Sequence, residues 1–119
     1  MAIPSGSGTE VLKRVYVDGL SNSPASPGVV LINGEADHIY TILSVVFCET
    51  AGTAQQVEIN VKPDGSGQVR ILKNGSVPAS GQFVWNDKFS ITGTDELCVW
   101  ANGGNVDCWC TYIEQDFGS

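Results

Sequence analysis

His38-Ile39-Tyr40-Thr41-Ile42-Leu43-Ser44-Val45-Val46-Phe47-Cys48 is the longest run of the chain dominated by β-branched and aromatic residues. Most of these side chains lose χ1 freedom in a helix and suit a pleated surface, so the stretch reads as a strand. Fully extended it spans about 36 Å. Thr41 and Ser44 interrupt it, and it is too short to cross a bilayer as a helix. Strict alternation puts Ile39, Thr41, Leu43, Val45 and Phe47 on one face, and Tyr40, Ile42, Ser44, Val46 and Cys48 on the other. Neither face is properly polar, which predicts a central strand covered on both sides. A small sandwich has one interior, so Tyr40, Ile42 and Val46 are expected to face a neighbouring subunit or the folded-over segment 21–28.

Outward from this strand the chain alternates short apolar runs with turn chemistry. Val11–Val17 reads as a first strand, with a short helix over Glu10–Arg14 as the competing reading, and Val29–Ile32 as a second strand, closed by Asn33-Gly34. Gln56–Lys62 alternates most cleanly, with Val57, Ile59 and Val61 inward and Glu58, Asn60 and Lys62 outward. Pro63–Gly67 and Asn74-Gly75 read as turns flanking a returning strand, and further strands follow at Gln82–Trp85, Lys88–Thr92, Glu96–Ala101 and Asn105–Glu114. Seven to nine short strands in one chain of 119 residues predict an all-β fold, an antiparallel β-sandwich of jelly-roll type. Residues 1–10 are small and Gly/Ser-rich and read as a flexible, extended N-terminal arm, leaving 11–119 as a single domain with a linker-like segment at 21–28.

Composition excludes several functions. Thirteen acids against six bases, a formal charge of −7, leave no basic stripe for nucleic acid. No membrane segment is expected, and the first residues lack the basic and apolar regions of a secretory signal. The four cysteines (Cys48, Cys98, Cys108, Cys110) are therefore expected as reduced thiols. If Asn102-Gly103-Gly104 closed a three-residue hairpin, Cys98 would face Cys108 within bridging reach; one residue of register either way removes that pairing. Cys98, Cys108, Cys110 and His38 have the right count for zinc but the wrong spacing. His38 has no nucleophile in a catalytic context, and the paired acids Asp95-Glu96 and Glu114…Asp116 read as solvated. No catalytic residue, cofactor or metal is predicted. The aromatics crowd into the last third, where Trp85 and Trp100 are candidate partner anchors. From Asp95 onward there are five acids and no Lys or Arg, an end suited to a basic partner surface.

His38–Ser44, Phe83-Val84-Trp85-Asn86-Asp87-Lys88-Phe89, Gly93-Thr94-Asp95-Glu96-Leu97, Tyr112–Phe117 and the opening Ser5–Leu12 together resemble small structural proteins of tailed-bacteriophage virions. The resemblance implies a β-sandwich repeated around a symmetry axis on a phage particle, with no enzymatic activity. The expected function is a head decoration (cement) protein, made in the host cytoplasm and carried on the virion. It would form a homo-oligomer, expected as a trimer, and grip the major capsid protein through Ile3, Pro4, Val11, Leu12, Tyr40, Ile42, Val46, Trp85 and Trp100. A tail, neck or baseplate protein, partnered by tail proteins, is the first alternative. A host-surface glycan-binding module is the alternative of another class.

Overall fold

The computed structural model describes residues 9–20 and 25–118. Nine strands make up the fold: β1 (Thr9–Val17), β2 (Val29–Asn33), β3 (His38–Glu49), β4 (Gln55–Lys62), β5 (Val69–Val77), β6 (Gln82–Trp85), β7 (Phe89–Thr92), β8 (Glu96–Ala101) and β9 (Val106–Asp116). They form two antiparallel sheets. The first runs β1-β9-β3, with β6 and β7 end to end along the far side of β3, and the second runs β2-β8-β4-β5. The chain passes back and forth between the sheets, which is the winding of a jelly roll. The competing helix over Glu10–Arg14 is strand β1.

The core lies between the sheets. Ile42, Val45 and Phe47 from β3 and Val106, Cys108 and Cys110 from β9 meet Val57 and Ile59 from β4 and Leu97 and Val99 from β8. Tyr40 and Ile42, expected on an outward face, are 3% and 0% exposed inside this core. The reason is a β-bulge. The β3–β9 register slips between Ile42 and Ser44, leaving Leu43 as the extra residue and reversing the phase of alternation. Tyr40 and Ile42 before the bulge thus share the inward face with Val45 and Phe47 after it, while Val46 stays outward.

The clean alternation of β4 also holds a surprise. Val57, Ile59 and Val61 point inward as expected, yet Glu58 and Asn60 are buried too, at 5% and 0% exposure. Residues 25–28 fold over the outer surface of the second sheet and bond to them. Ser26 Oγ donates to Glu58 at 2.8 Å, and Asn60 Nδ2 donates to the Pro27 carbonyl at 3.2 Å. Gln68 Nε2 completes the network, donating to Ser26 Oγ at 2.8 Å and to Asn60 Oδ1 at 3.2 Å. Gly28, at φ +97°, lies so close that a Cβ there would be 2.0 Å from the Val99 carbonyl oxygen. That part of the linker covers β4 and β8, not β3.

Two turn expectations change. Asn74-Gly75 is no turn; both residues lie inside β5, where Asn74 takes φ +61° and the ladder to β4 bulges. Asn102-Gly103-Gly104 does turn, but it carries the chain from one sheet to the other, so β8 and β9 are not paired. The hairpin that would have brought Cys98 to Cys108 does not exist. Cys98 sits under the 25–28 cover opposite Val30 and Asn60, and Cys108 sits in the core; all four thiols are free.

Candidate interaction surface

The outer face of the first sheet is built by the register of four strands. On β9, Val106, Cys108, Cys110 and Tyr112 are buried, so the intervening Trp109 must point out, and it is 45% exposed. β1 places Tyr16 directly opposite Trp109, β3 places Val46 on its other side, and β6 places Val84 next to Val46. The result is a row, Tyr16–Trp109–Val46–Val84, running across the whole sheet. Tyr16 and Val84 are 55% and 47% exposed. The Tyr16 and Trp109 rings lie nearly parallel with centroids 5.4 Å apart, and the Arg14 guanidinium sits about 5 Å from both. Further along, Leu12 is exposed beside Ile113 and Thr41.

The candidates named from the sequence scatter around this row. Val46 belongs to it, and Val11 and Leu12 are exposed on β1. Tyr40 and Ile42 are in the core, and Ile3 and Pro4 lie outside the described residues. Trp85 packs on the core edge and donates its indole N–H to the Asp87 carbonyl at 3.0 Å. Trp100 is half-buried beside Gly28 on the covered sheet. Tyr16, Trp109 and Val84 were missed, although the alternation of Cys108-Trp109-Cys110 with Tyr112 already carried the signal for Trp109.

Of the five acids from Asp95 onward, Asp95, Asp107, Glu114 and Asp116 make polar contacts within the domain. Asp107 accepts the Gly19 N–H at 3.0 Å, and Asp95 accepts N–H groups from Asp64 and Thr92. At one end of the sandwich Glu114 accepts from Lys13 at 2.8 Å and bonds His38 Nδ1 at 2.5 Å; His38 Nε2 lies 3.3 Å from Asp116 and 3.5 Å from Glu35. Burial pushes the Glu114 carboxyl up, but the hydrogen bonds from Lys13 and His38 outweigh it and hold it below its ordinary value. At the opposite end Glu49, 1% exposed, accepts backbone N–H groups from Ser80, Ala51, Gly52 and Thr53, which lower its pKa. These ties join loops to strands. Among the described residues no group of three or more His, Cys, Asp or Glu is placed to hold a metal ion. Burial pushes the Cys98, Cys108 and Cys110 thiols up, so they stay protonated and behave as small hydrophobes.

A jelly roll with an outer sheet that is partly aromatic and uncovered by the described residues is the class of molecule defined here. No protein family matches the sequence, and a search of characterised proteins finds no match. Solved structures match in fold. One is a chain of the Bacillus endospore appendages, a family of disulfide-linked pili, at TM-score 0.54 and 15% identity over 99% of this chain and 97% of that one. Another, from infectious bursal disease virus Gx strain, aligns at TM-score 0.54 and 9% identity over 97% of this chain but 34% of its own. At these identities the likeness is one of fold.

Proposed function

We propose that the protein is a structural component of a phage particle: a head decoration protein that assembles as a homo-oligomer, a trimer on the sequence reading, and bridges neighbouring capsid subunits. The observation that supports this most is the Tyr16–Trp109–Val46–Val84 row, an apolar band on a sheet face that the described chain leaves open. Such a band on an otherwise acidic surface suits a protein neighbour more than water. Many copies, each making a modest contact, stabilise a shell by avidity and mass action. The fold relatives come from a pilus and a virus, settings in which jelly rolls serve as building blocks. A glycan platform fits less well, because the Arg14 guanidinium already lies over both rings where a sugar face would stack.

The test is quantitative mass spectrometry of purified particles separated into heads and tails. Decoration predicts the protein on heads in a fixed ratio to the major capsid protein, and loss of head binding in a folded Trp109→Asp variant. Finding it only on tails moves it to the tail reading. Absence from particles, or undiminished head binding by the variant, removes the proposal.

A further inference from the structure

We propose that β1 pairs edge to edge with β1 of a second copy across a two-fold axis at Leu12, joining two first sheets into one continuous sheet. This stands apart from the virion reading and needs no other partner.

Sheet edges expose unpaired N–H and C=O groups, and native edges are normally short, bulged or charged to prevent pairing. The other edges here follow that rule. β2 has five residues and a bulge, β6 and β7 have four residues each with a break between them, and β5 bulges twice and carries Arg70 and Lys73. β1 does not. It runs nine residues in unbroken register with β9, contains no proline, and among the described residues pairs with nothing on its other side. Its one inward lysine, Lys13, does not guard the edge, because its ammonium is turned back onto Glu114 at 2.8 Å.

The side chains select the partner. Glu10, Leu12, Arg14 and Tyr16 share the outward face, and an antiparallel pairing that continues the sheet must oppose residues of like face, so the axis falls on a residue. An axis at Lys13 sets two lysines opposite each other, and one at Arg14 sets two arginines. An axis at Leu12 sets Glu10 against the partner's Arg14, Arg14 against the partner's Glu10, and Leu12 against the partner's Leu12. That register alone pairs opposite charges twice and buries Leu12, at 67% the most exposed large apolar residue among those described. Arg14 has no carboxylate partner among the described residues; stacking occupies its face and leaves its N–H edge for the incoming Glu10. The two-fold coexists with a three-fold axis in a hexamer of dihedral symmetry.

Native mass spectrometry and analytical ultracentrifugation of the full chain test this. The wild type is expected as a dimer, or as a hexamer if the three-fold also forms. Glu10→Arg alone and Arg14→Glu alone each place like charges at both contacts, and should give monomers, or trimers from the hexamer, with unchanged circular dichroism. Mixing the two variants restores complementarity and should give a mixed dimer containing one of each, and the double charge swap should pair with itself. A wild-type monomer or trimer overturns the proposal. So does a single variant that still pairs, or a mixture that fails to form the mixed species.

Discussion

The two outer faces of this sandwich are made of similar strands and have opposite fates. The outer face of β4 and β8 is roofed by the chain's own residues 25–28, and beneath that roof Glu58, Asn60, Ser26 and Gln68 satisfy one another. The outer face of β1, β9, β3 and β6 has no such cover from the described residues and presents an aromatic and aliphatic row. Polar residues are buried where the domain closes on itself, and apolar residues are exposed where it is open. This inverts the usual inside–outside expectation. The roofed face therefore serves folding, and the open face is the one we propose for assembly.

Substitutions can break that division or sharpen it. The largest effect is expected from Phe47→Ala, on the inward side of the same strand that shows Val46 outside. Phe47 is fully buried, so its loss should cost about 3–5 kcal/mol of stability in urea unfolding. A cost near zero would mean that Phe47 does not face the core. Asn60→Ala should cost about 1–3 kcal/mol, because it strands the Pro27 carbonyl and removes one of the two acceptors of Gln68 Nε2. Hydrogen exchange should then show faster amide exchange around residues 25–28, and an unchanged rate would separate the roof from the fold.

Acid tests a third kind of contact, the loop tie at Glu49. The Ser80, Ala51, Gly52 and Thr53 amides lower its pKa in the folded state, so its contribution is full above the unfolded value near 4.5 and is lost as pH falls through the folded value. The urea midpoint should drop on acidification, and Glu49→Gln should be less stable at neutral pH with a shallower acid limb. Glu114 adds a dependence of the same sign through Lys13 and His38. The smallest folding effect is expected from Val84→Ser on the open row, within about 0.5 kcal/mol. The same variant should weaken particle binding, which is the readout that divides the two faces.

Much of this architecture was legible in the residues. Turn chemistry at Pro63–Gly67, Gly93–Asp95 and Asn102–Gly104 marks strand ends because Gly, Pro and Asn act locally, and β6 and β8 fall on their expected bounds. What escaped depends on distant partners. The bulge at Leu43 is set by pairing with β9 and leaves no mark in Ile42-Leu43-Ser44. Asn74-Gly75 has the composition of a turn, but pairing with β4 keeps it within a strand. Asn60 looks like a solvent-facing residue, since its cover comes from Pro27, distant in sequence. Of the surface row, Val46 was anticipated and Trp109 was readable from strict alternation on β9. Tyr16 and Val84 join it only through register.

The bulge in β3 carries a further consequence. Its first half, Ile39–Ile42, pairs with β7, and its second half, Val45–Cys48, pairs with β6. The break at Asn86-Asp87-Lys88 thus faces the slip in β3, and these three residues are exposed outside the ladder. A foreign peptide spliced in at that point would lengthen a gap already present and interrupt no pair of the backbone ladder. The fold comes with a natural attachment point for cargo, at the rim of the sheet that we assign to assembly.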